Sequence, residues 1–73
     1  MKYSVDLYNK DADNYKEVFT TDDIEIAKQV CKALNELCKK DMIIDREVKH
    51  PEPFDWAETY DNENREVVYV DKE

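Results

Sequence analysis

The chain has 73 residues, a formal net charge of −8, 41% hydrophobic residues, two cysteines and no glycine. That is material for a single small domain (1–73) with a thin core, and it leaves little to wall an enzyme cavity of roughly several hundred cubic ångströms. Without glycine there is no Walker or dinucleotide phosphate loop, and without a Cys-x-x-Cys or a histidine pair there is no zinc motif, so neither metal nor cofactor is expected.

Lys2 to Tyr8 alternates, with Tyr3, Val5 and Leu7 on one side and Lys2, Ser4, Asp6 and Tyr8 on the other. A period of two predicts a half-buried strand. Asn9 to Asn14, NKDADN, is a polar turn; within it Asp11-Ala12-Asp13-Asn14 only faintly has the look of a calcium loop, because the glycine and the distal glutamate are missing. Tyr15 to Phe19 is a second strand, and the link between the two predicts a hairpin with a loop of about four to six residues.

Thr21 to Lys40 is the strongest signal in the chain. Ile24, Ala27, Val30, Cys31, Leu34, Leu37 and Cys38 recur at steps of three and four, the stripe of a helix with one buried face. Thr20, Thr21 or Asp22 is the expected N-cap, and Asp22 with Glu25 has capping-box spacing. Cys31 and Cys38 lie about 10.5 Å apart along that helix, beyond the roughly 7 Å a disulfide allows, so both are expected as core thiols.

Met42 to Lys49 reads as a strand, its rival being a continued helix, and His50-Pro51-Glu52-Pro53 then ends any regular element. Phe54 to Tyr60 and Glu66 to Val70, around Asp61 to Arg65, form a second hairpin, and Asp71 to Glu73 is expected to fray. The predicted class is α+β. The order β-β-α-β-β-β forms one antiparallel sheet of about 4–5 strands, covered on one face by one amphipathic helix.

Pairing the last hairpin about its turn sets Trp56 near Tyr69 and Tyr60 near Arg65. Glu58 and Val67 share that face, with Ala57, Thr59, Val68 and Val70 on the other. If the smaller residues meet the helix, a Trp/Tyr/Val face with an acidic rim is left outside, which is how protein interfaces are commonly built. The alternative makes Trp56 and Tyr69 core residues.

The acidity is uneven. Residues 1–40 hold eight acids and seven bases, while residues 41–73 hold eleven acids and four bases. Such a balance counts against direct binding to nucleic acid or to an anionic membrane. It suits either a plain solubilising surface or a patch that steers a basic protein partner. In the sharpest version, carboxylates about 6.6 Å apart along a strand mimic phosphates and occupy the groove of a nucleic-acid-acting enzyme.

The expected function is thus a non-enzymatic acidic binding module or inhibitor, with Asp55, Trp56, Glu58, Tyr60, Asp61, Glu63, Glu66 and Tyr69 as its partner-binding residues. Size and acidity together suit a small phage or mobile-element accessory protein, by analogy of type and not of motif. A homodimeric structural subunit is the second reading, and a small enzyme using His50, the single histidine, is the remote third. No residue is assigned a catalytic role. The amino-terminal MKYSVDLYNK lacks the apolar core of a signal peptide and no run is long enough for a membrane span, so a reduced, cytoplasmic protein is expected.

Overall fold

A computed structural model describes residues 1–70. The elements are β1 (Tyr3–Asn9), β2 (Asn14–Thr21), α1 (Ile24–Lys39), β3 (Ile44–Asp45), β4 (Glu52–Pro53), β5 (Trp56–Asp61) and β6 (Glu66–Val70). Four strands form an antiparallel sheet in the order β2-β1-β5-β6, with β3 and β4 as a separate two-stranded ladder. One helix lies on one face of that sheet, so the α+β class holds. The expected fraying of Asp71 to Glu73 falls outside the described residues.

The alternation in β1 does what a period of two requires. Tyr3, Val5, Leu7 and Asn9 turn towards α1 and are buried. In β5 the residues opposite them are Asp61, Thr59 and Ala57, also buried. The core joins these strands to Ala27, Cys31 and Cys38 of α1 and to Phe54. Ala27, Ala57 and Thr59 are small, which lets helix and sheet approach until the Thr59 hydroxyl donates to Ala27 O at 3.5 Å. Leu37, expected on the buried stripe, is 37% exposed, and Asn35 takes an inner position instead at 2%.

The helix starts later than expected. Asp23 is the N-cap, its Oδ1 accepting from Glu25 N at 2.9 Å and Ile26 N at 3.4 Å. Asp22 cannot serve because its carboxylate accepts from Lys2 N, and Thr21 Oγ1 is occupied by Asp23 N. At the other end Asp41 N donates to Cys38 O and Met42 N to Leu37 O, the paired bonds of a Schellman turn. The left-handed residue such a turn needs is Asp41, at φ 55°, where glycine is usual.

Past this turn the expected strand over Met42 to Lys49 shrinks to Ile44–Asp45. Asp45 is the cause: its Oδ1 accepts from Glu47 N at 3.1 Å, a side-chain turn that bends the chain out of the extended form. The His50–Pro53 stretch is correspondingly less irregular than expected, since Glu52 and Pro53 pair with Asp45 and Ile44. Proline is tolerated there because the ladder is only two residues long and needs few donors.

The last hairpin carries a further correction. Its pairs are Glu58 with Val70, Thr59 with Tyr69, Tyr60 with Val67 and Asp61 with Glu66. A bulge at Val68 puts one extra residue into β6, so Tyr69 turns to the helix side and Val70 to the other. Trp56 therefore does not meet Tyr69, and Tyr60 does not meet Arg65. Lys28 of α1 sits over the Tyr69 ring, 5.8 Å from its centroid.

Candidate functional site

With α1 on one face, no element among the described residues covers the other face of the sheet. The same registers that bury Val5, Leu7, Ala57 and Thr59 place Ser4, Asp6 and Tyr8 of β1 on it. Beside them stand Tyr60, Glu58 and Trp56 of β5 and, from β2, Glu17 opposite Asp6 and Tyr15 opposite Tyr8. Glu17, Asp6 and Glu58 thus form a row across three adjacent strands, each beside the next. Directly opposed residues of neighbouring strands have Cβ atoms only about 4.5–5.5 Å apart, so like charges there repel.

Asp6, the middle member, records the cost. Its carboxyl pKa is raised, first by burial and then by Glu17, with Glu58 adding to it, while a side-chain hydrogen bond with Ser4 pulls the other way. Asp6 Oδ1 is buried with no hydrogen-bond partner among the described residues. Glu58 is held in place: Trp56 Nε1 donates to its Oε1 at 2.8 Å. The Trp56 ring lies 5.0 Å from that of Tyr8 at 41°, and the Tyr8 hydroxyl donates to Asp13 Oδ1 at 2.6 Å. Asp6, Glu58 and Tyr8 line a concavity of about 410 Å³ together with Ser4, Tyr15, Glu17, Tyr60, Asn62 and Val67. Three of these residues are acidic and none is basic.

The partner-binding residues expected from sequence divide between several places. Trp56, Glu58 and Tyr60 lie on this face. Asp55 is exposed at the head of β5, where its Oδ2 accepts from Lys10 N at 2.7 Å. Glu63 and Glu66 are exposed at the far hairpin. Asp61 is buried and shapes the turn, accepting from Glu63 N, Asn64 N and Asn64 Nδ2. Those bonds, led by the one from Asn64 N, hold its carboxyl below the usual range. Tyr69 faces the helix side.

Sequence reasoning missed Asp6 and Glu17. Their alternation was visible, but only the strand order brings them beside Glu58.

Of the residues with reactive side chains, His50 is exposed in the bends after β3, while Cys31 and Cys38 are buried thiols in α1. Burial, helped by Asp55, Cys31 and Asp41, pushes the Cys38 thiol up to about 11, so little thiolate forms at neutral pH. No group of three or more metal-ligating side chains is assembled among the described residues. No helix among them is long and apolar enough to cross a membrane. Comparison with protein-family models, with curated proteins and with solved structures finds no match.

Proposed function

We propose that this protein is a non-enzymatic binding module that presses its uncovered sheet face onto a basic surface of a partner protein. In its specific form it is an inhibitor that occupies a surface meant for nucleic acid. One observation carries the reading: the Glu17–Asp6–Glu58 row, bordered by aromatic rings and accompanied by no basic residue in the concavity it lines. Carboxylates crowded at a cost to the isolated fold are relieved when a partner brings positive charge. The rigid Tyr8–Trp56 pair supplies the kind of anchor on which interface energy concentrates. The same row disfavours stacking two copies face to face, because it would oppose like charges.

The test is capture of partners by the tagged full chain at low and high salt, followed by competition with duplex DNA. A salt-sensitive nucleic-acid-acting protein that duplex DNA displaces supports the decoy form. Reversing Glu17, Glu58, Glu63 and Glu66 to Lys should abolish capture while circular dichroism stays unchanged; Asp61 is left intact because it holds the turn. Undiminished capture by that folded variant overturns the proposal.

A further inference from the structure

The open face has a shape as well as a charge. Its concavity is too small to seat a folded element of a partner, yet at about 410 Å³ it has room for one long side chain. Its border is fixed before any partner arrives, since Tyr8 is tied to Asp13, Tyr8 packs on Trp56, and Trp56 holds Glu58. Asp6, the middle acid of the row, lines the concavity, and its Oδ1 is buried with no hydrogen-bond partner among the described residues. A metal ion would need ligands converging at about 2.0–2.6 Å, and no such group exists among the described residues. The carboxylates are spread across strands at a spacing that suits a wide organic cation.

We propose that this concavity is a receptor for one arginine side chain presented by the partner, an inference that rests on the partner being basic. A guanidinium is flat and carries five N–H donors in a rigid fork. It can donate to more than one carboxylate of the Glu17–Asp6–Glu58 row while its face lies on a tyrosine ring. An ammonium has three donors, holds its water more strongly and cannot stack, so it satisfies the acid row without using the aromatic border. Three carboxylates against one guanidinium leave the rim negative, which favours an arginine with further basic neighbours.

The test uses the full chain and three capped peptides that differ at one central position: arginine, lysine and uncharged citrulline. In an NMR titration the arginine peptide should bind saturably and shift signals of Asp6, Glu17, Glu58, Tyr8 and Tyr60. The lysine peptide should bind about tenfold more weakly and the citrulline peptide not at all. Asp6→Asn should abolish the saturable phase. Glu17→Gln, at an exposed position, should weaken it about tenfold while circular dichroism stays unchanged.

Equal, salt-screened binding of the arginine and lysine peptides, or shifts elsewhere on the surface, overturns the inference. Shifts that grow with protein concentration alone would place a second copy in the concavity and overturn it too. If the peptides fail but the charge-reversed face still loses its partner, the receptor falls and the binding module stands. If the arginine peptide saturates the concavity but DNA displaces no partner, the receptor stands and the decoy falls.

Discussion

The side-chain amide of Asn35 on α1 pairs with the peptide of Ala57 on β5 as a neighbouring strand would. Ala57 N donates to Asn35 Oδ1 at 2.9 Å, and Asn35 Nδ2 donates back to Ala57 O at 3.0 Å. The same Nδ2 also donates to Cys31 O at 3.0 Å. The described pairing of β6 with β5 ends at Glu58, so one helix residue completes the sheet edge. Asn35→Ala leaves a buried N–H and C=O unsatisfied and should cost about 3 kcal/mol. A chain this long commands only roughly 4–11 kcal/mol, so urea denaturation should show a large fall in midpoint. Asn35→Asp keeps the acceptor and buries a charge; its deficit should shrink as pH falls, because a protonated carboxyl can donate.

Asp6 makes the fold less stable at neutral pH than it need be. Its pKa is raised in the folded state, so its favourable contribution exists at acid pH and is lost as pH rises through the folded value. The groups facing it are Glu17 from β2, Glu58 from β5, and Ser4 and Tyr8 on its own strand. Asp6→Asn removes two like-charge contacts, each on the order of a few tenths of a kcal/mol. It should raise Tm at pH 7 and flatten the rise in Tm expected of the unsubstituted protein on mild acidification. Unchanged pH profiles would show that Asp6 titrates normally.

Asp45 and Asp61 work in the opposite direction. Asn14 Nδ2 at 2.9 Å, Asn9 Nδ2 at 3.1 Å and Glu47 N all donate to Asp45, and these bonds, Asn14 first, depress its pKa. Their stabilisation is present above the ordinary carboxylate range near 4 and disappears as pH falls through the depressed values. Thermal melts should therefore weaken steeply in strong acid. Asp45→Ala should lower Tm at pH 7, abolish part of that acid step and release the Asn9 and Asn14 amide protons to faster hydrogen exchange.

Asp41 combines two unfavourable features at the end of α1: a left-handed backbone without glycine, and a negative charge beside the negative pole of the helix. Asp41→Gly keeps both Schellman hydrogen bonds and should stabilise the protein by about 1 kcal/mol. Denaturant midpoints measure it directly. A loss of stability would mean that the Asp41 side chain makes a contribution beyond its backbone geometry.

The helix and both hairpins were legible in the sequence because each buries one face and its period shows it. Besides the N-cap and the short β3–β4 ladder, three features were not. Asn35 lies between Cys31 and Cys38 at helical spacing, but a polar residue on an apolar stripe looks like an interruption until a bare strand edge is opposite it. The Val68 bulge shifted Tyr69 and Val70 by one position, and nothing in the composition of EVVYV marks it. The acid row was hidden by reading charge along the chain. The second half holds the excess, yet two of the three carboxylates, Asp6 and Glu17, come from the first.

The strand order also governs when the protein can fold. β1 lies between β2, its neighbour in sequence, and β5, which follows only after the whole of α1 and the β3–β4 ladder. During synthesis the first hairpin and α1 are complete while Leu7 still lacks Ala57 beside it and Asn35 has no peptide to hold. A nascent chain at that stage offers an unpaired inner strand edge and a half-covered helix stripe, the surfaces chaperones bind and strands from other chains invade. Closure then waits on a pairing between distant parts of the chain, which makes β1 with β5 the expected slow step of folding.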